Sequence, residues 1–299
     1  MTGYSRRLKR ELLASWIMGS ISFLPAFLIF LMFLGLFLKA RPLLWLQPLS
    51  RLIFSDEWAP FKGHFGLWPF IMGTIWVTFL ALIIAAPISL FVAIFLSEYA
   101  PRRIREIARP MIDLLAGLPS VIYGVWGVLL IVPFVGRYLA PLFGTYSSGY
   151  SILAGGLVLA VMILPTIIHV LLEIFRAIPQ AMREASLSLG ATKWETVKYV
   201  LLRQGASGIL AAFVLGLSRA LGETMAVLMV VGNVARVPRS LFDGGYPLPA
   251  LIANNYGEMM SIPLYDSALM LAAAILLILV MIFNLIARLV LIRLERRFL

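Results

Sequence analysis

Two charged side chains stand where the sequence leaves least room for charge. The stretch SRALGETMAVLMVVGN, residues 218–233, places Arg219 and Glu223 inside the otherwise apolar run from Ile209 to Gly232. A charge at the centre of a lipid-embedded helix costs roughly 2.5 to 3.5 kcal/mol even on lenient insertion scales, so something must offset it. Glu223 follows Arg219 by one helical turn and can share its face, but Arg before Glu is the weaker order for supporting a helix. Two readings follow. The pair can fasten helices together as a buried ion pair, or it can line a path for an anion. A guanidinium offers a planar fork of donors that fits two oxyanion oxygens and stays charged in a dry site. A neighbouring carboxylate can hold that fork, accept a proton from a protonated oxyanion, or repel the anion so that it leaves as readily as it enters.

The elements that must hold these residues follow from composition. Of 299 residues 62% are apolar and 13% charged, with a mean hydropathy of +0.97. That leaves too little polar surface to cover a soluble core of this size. Six runs are long enough to cross about 30 Å of hydrocarbon as helices: Trp16 to Leu38, Phe70 to Leu96, Pro110 to Val135, Ile152 to Ile174, Ile209 to Gly232, and Ser267 to Leu289. Lipid offers backbone amides no partner, and these runs exceed barrel strands, so the fold class is an all-α integral membrane protein with six transmembrane helices.

A net charge of +11 could mark a nucleic-acid binder, but its distribution argues for membrane topology. Clusters at Arg6 to Arg10, Arg102 to Arg109, Arg176 to Arg203 and Arg288 to Arg297 all fall on one side of the six spans, while Lys39, Arg41, Arg51, Lys62, Arg137, Arg236 and Arg239 fall on the other. The positive-inside rule then puts both termini in the cytoplasm, with residues 1–15 as a cytoplasmic segment and 16–299 as one membrane domain. No nucleic-acid partner is expected. With no cysteine and only His64 and His169, no metal site is expected either.

The inner loop 175–206, FRAIPQAMREASLSLGATKWETVKYVLLRQGA within it, is strongly punctuated. Pro179 suits the first helical position, Gly190 the positive-φ residue past a helix end, and Thr192 with Glu195 forms a capping box. The expectation is a helix, a tight turn at Gly190, and a second helix from Lys193 toward the fifth span. Weaker signals lie elsewhere. Asp113 stands near the start of the third span, followed by Pro119, Ser120, Tyr123 and several glycines, a pattern that fits a broken or closely packed helix beside a path. His169 and Glu173, one turn apart, can form an interfacial pair at the end of the fourth span. The outer segment with Asn254, Asn255, Tyr256 and Glu258 reads as a solvated loop.

Glu184, Ala185, Ser186, then Gly190, then Val200 and Leu202 resemble the EAA loop of ABC-importer permeases, with Ser186 for the second alanine and Arg203 for the final proline. Ser218 to Val227 with Val231, Gly232 and Asn233, together with Ser97-Glu98-Tyr99-Ala100-Pro101 and Leu115 to Gly124, are similar to the PstC-type permeases of bacterial phosphate importers. The resemblance implies a type I importer (MetI-like) permease fold in the cell (inner) membrane. It also implies Glu184, Ala185, Ser186 and Gly190 as the surface that couples to ATP-binding ATPase subunits, a homologous PstA-like second permease, an external phosphate-binding protein, and phosphate as cargo passing Arg219 and Glu223. Such a subunit carries no cofactor and is not itself an enzyme, in keeping with the absence of a G-x-x-x-x-G-K-[ST] loop or any catalytic signature in the chain. Another oxyanion, molybdate or sulfate, and a self-sufficient ion-coupled carrier remain the alternatives.

Overall fold

The computed structural model describes residues 2–259 and 261–298. Helix α1 spans Thr2–Leu46 and α2 Leu49–Phe54. A two-stranded hairpin, β1 (Trp58–Ala59) and β2 (His64–Phe65), leads into α3 (Trp68–Tyr99), whose last turn is π-helical. Then come α4 (Arg102–Gly117), α5 (Ser120–Leu142) and α6 (Ile152–Ala177). On the next connection lie α7 (Gln180–Ser188) and α8 (Lys193–Gln204), followed by α9 (Ala206–Leu221), α10 (Met225–Val230), α11 (Leu248–Asn255) and α12 (Tyr265–Phe298). Five of these helices are long and apolar enough to cross a membrane, and α8 with α9 adds a sixth when that bent pair is taken as one span.

Four of the six expected spans sit inside single helices, α1, α3, α6 and α12. The other two are corrected. The run Pro110 to Val135 is divided: Leu118 and Pro119 are extended, with ψ of 134° and 142°, and α4 ends before them. A residue before proline is pushed out of the α region, and proline has no amide to continue the ladder. The residues before the break form an amphipathic helix that buries Ile112 and exposes Arg102, Arg103, Glu106 and Arg109. The run Ile209 to Gly232 is divided too, because helical bonding stops at Leu221 and resumes at Met225, across Gly222, Glu223 and Thr224.

The core is built by α3 lying along α6, with α9 packed against both. Ala81 and Ala85 of α3 and Leu159, Ile163, Ile167 and Leu171 of α6 are sealed in it. Small residues let the helices approach: a Cβ added at Gly156 of α6 would stand 2.6 Å from Cδ2 and 2.8 Å from Cγ of Leu80 on α3. Gly156→Leu is therefore expected to overpack this seam, at about 1–3 kcal/mol. Stepwise heating in detergent followed by gel filtration should show earlier loss of the monodisperse peak, with Gly156→Ala between the variant and the parent.

The outer connections are more ordered than their polar composition predicts. Leu43, Leu52, Phe65, Leu67, Tyr246, Leu251 and Tyr265 form a second apolar core there. Asn254 and Asn255 each donate to the Tyr246 hydroxyl, at 2.9 and 2.8 Å, which ties down the end of α11, while Tyr256 and Glu258 beyond it are exposed, as expected of a solvated loop.

Candidate functional site

The two broken runs meet. α10 packs against the first turns of α5 and against α6, and Gly124 of α5 faces Ala226 and Met229 of α10 closely enough that a Cβ would lie 2.5 Å from the Met229 sulfur. Each break leaves backbone groups that the apolar surroundings cannot satisfy. Side chains supply the partners. The Tyr123 hydroxyl, buried at the start of α5, donates to the Leu115 carbonyl at 2.6 Å and so caps the end of α4 across Pro119. Glu223 accepts from the Ala226 amide at 3.2 Å and so caps the start of α10.

Arg219 extends from the last turn of α9 and donates through Nη1 to the Thr166 hydroxyl of α6. It forms no ion pair with Glu223: the ion pairs among the described residues are Arg102 with Glu106 and Arg183 with Glu98, and His64 and His169 contact the carboxylates of Glu57 and Asp113. The expected shared face is lost because α9 ends at Leu221, before Glu223 can follow the helical spiral. Glu223 instead lines a small void with Thr74 and Thr78 of α3, Pro247 and Pro249. Thr166 went unnoticed in the sequence because a threonine in an apolar helix carries no pattern of its own. The arrangement suits an anion: Thr166 takes one donor of a five-donor fork, and that fork stands at the break of a membrane helix.

The inner connection follows its local punctuation closely. Pro179 sits at the N-cap of α7, one residue before the expected position. The Ala191 amide bonds to the Ser186 carbonyl and the Gly190 amide to that of Leu187, the paired closure of a Schellman turn, with Gly190 at φ +85°. The capping box is complete: Thr192 N donates to Glu195 at 2.7 Å, and Glu195 N donates to the Thr192 hydroxyl at 3.2 Å. Bonds from the Thr192 amide, and then from its hydroxyl, hold the Glu195 carboxyl below the ordinary carboxylate value. Glu184 and Ala185 are exposed, while Ser186 is half-buried and bonds Thr196 of α8 at 3.0 Å. Arg203, in the place of a proline, stays helical over the Tyr199 ring. The bend arrives two residues later, at Gly205, where α8 and α9 meet at 71°.

Residues 85–299 match the family of binding-protein-dependent transport system inner membrane components. The chain is 40% identical over 271 residues to the phosphate transport system permease protein PstC of Xylella fastidiosa (strain 9a5c), covering 86% of this chain and 83% of that protein. It is 42% identical over 238 residues to PstC 2 of Mycobacterium tuberculosis (strain ATCC 25618 / H37Rv), covering 75% and 73%. The chain belongs to this permease family. Among solved structures, a bacterial alginate ABC transporter aligns with a TM-score of 0.61 at 16% identity, over 94% of this chain and 96% of that one. The MetNI methionine ABC transporter aligns at 0.59 and 21%, over 76% and 97%. The fold is that of type I ABC-importer permeases, and the sequence is PstC-like.

In this permease the weaker candidates take definite places. Pro119 makes the break, Ser120 opens α5, and Tyr123 caps α4. Asp113 of α4 pairs with His169 of α6 at 3.0 Å. His169 thus turns to α4 rather than to Glu173, one turn along its own helix, because α4 packs against that stretch of α6.

Proposed function

We propose that the chain is the permease subunit of an ATP-driven phosphate importer, providing half of the pathway beside a homologous PstA-like subunit. The observation that carries this reading is 40% identity, over 86% of the chain, to a phosphate transport permease. Of the importer's two ATPase subunits, one docks on the exposed face of α7 around Glu184 and Ala185, and an external phosphate-binding protein delivers the cargo. Both termini lie in the cytoplasm, in keeping with the distribution of basic residues. Arg219, steadied by Thr166, offers the passing anion its fork. Glu223, close by at the break, supplies a negative charge that keeps the anion's stay short.

The test is purification in mild detergent, followed by reconstitution with whatever accompanies the chain. Recovery of an ATPase and one related six-span protein, with ATP-dependent uptake of radioactive phosphate that sulfate and molybdate fail to compete, is the expected result. Competition by sulfate or molybdate would move the cargo to another oxyanion. Uptake by the chain alone, with no ATPase recovered, would make it an ion-coupled carrier.

A further inference from the structure

The inner end of α3 is joined to the α7–α8 unit by contacts that chain connectivity does not require. Arg183, the fourth residue of α7, is nearly buried, with 11% of its side chain exposed. Its Nη2 donates to the Phe175 carbonyl at 2.6 Å and its Nη1 to the Ile178 carbonyl at 2.7 Å, closing the C-terminal end of α6. The same guanidinium bonds Glu98 Oε1 through Nε, at 3.2 Å. Glu98 sits in the π-helical last turn of α3, only 14% exposed, and its Oε1 also accepts from the Ser97 hydroxyl at 2.8 Å. One residue on, the Tyr99 ring lies under the Lys193 ammonium, 5.2 Å from its centre, at the first residue of α8. Glu98, steadied by Ser97, and Tyr99 thus touch both helices that flank Gly190.

An ion pair this dry is a poor choice for stability alone, because desolvation consumes much of its attraction and an apolar contact would serve as well. A guanidinium that bridges a carboxylate and two carbonyls is directional. It fixes the angle between α7 and two core helices, where apolar contacts allow sliding. α3 and α6 are also the pair that builds the core.

We propose that Glu98 is the receiving end of the coupling surface. Through Arg183, displacement of α7 reaches α3 and α6 together, so that the core pair moves as one body. Glu98 and Arg183 are positioning residues; neither touches the cargo. The inference rests on the proposed docking of an ATPase subunit at α7.

The test uses the whole importer, with its ATPase subunits and binding protein, in proteoliposomes. Glu98→Gln keeps an acceptor for Arg183 and Ser97 but removes the charge. It is expected to assemble and hydrolyse ATP within about twofold of the parent, while phosphate carried per ATP falls roughly fivefold or more, the lower range of coupling effects between sites. Unchanged phosphate per ATP in Glu98→Gln overturns the joint, as would an equal fall in hydrolysis and uptake, the mark of a merely structural role. Because the chain has no cysteine, Tyr99→Cys with Lys193→Cys, joined by a bifunctional thiol cross-linker long enough to replace the two side chains, gives an independent readout. The cross-link should form equally with and without nucleotide and leave uptake intact; a cross-link that forms in one state only, or blocks uptake, also overturns it. Failure of the parent complex to take up phosphate with ATP sinks the functional reading and the joint together, whereas normal parental uptake isolates the joint.

Discussion

Arg219→Lys lowers phosphate uptake at least about tenfold, a loss of about 1.4 kcal/mol or more, while membrane level and subunit assembly stay near those of the parent. The substitution keeps the charge and loses the planar fork, so it separates recognition of an oxyanion from simple neutralisation. The structure sharpens the companion experiment. Arg219 bonds Thr166, and Glu223 caps α10 through the Ala226 amide, so each charge has its own local partner. Neutralising both, Arg219→Gln with Glu223→Gln, relieves no shared ion pair and is expected to leave uptake defective in an assembled complex. If the double variant recovered uptake that each single variant had lost, the two charges would be a buried pair serving packing, and the path would run elsewhere. Thr166→Val, which removes the acceptor but keeps the shape, should give a smaller loss in the same direction.

Gly190→Val separates insertion from coupling. Gly190 has φ +85°, and a Cβ there would meet nothing within 4 Å, so the cost is conformational and not steric crowding by neighbours. An L-residue held in the left-handed region costs about 1–2 kcal/mol, and a β-branched one more. The turn can escape that cost by abandoning the Schellman closure, which re-aims α7 relative to α8. Lying outside the helical core, the change should leave expression and the detergent gel-filtration profile intact. The expected result is ATP hydrolysis that persists with uptake reduced severalfold or more, and Gly190→Asn, which tolerates the left-handed region better, retaining more uptake. Full ATP-driven uptake by Gly190→Val would show that this turn does not transmit force.

The sequence by itself determined whatever depends on a few consecutive residues. Apolar runs longer than any strand had to become helices because lipid supplies no backbone partner. Gly190 and the Thr192–Glu195 box set the turn between α7 and α8, because both bond within six residues of chain. Even the break at Pro119 was signalled, though averaging hydropathy over Pro110 to Val135 merged an amphipathic helix with a membrane span. Only the tertiary structure decided which polar groups meet. Arg219 finds Thr166 across 53 residues, and Arg183 finds Glu98 across 85. Asp113 takes His169 away from Glu173. Those choices depend on how α3, α4, α6 and α9 are rotated about their axes. That rotation is set by the packing of small and large side chains such as Gly156 against Leu80, a relation between distant residues that no local spacing encodes.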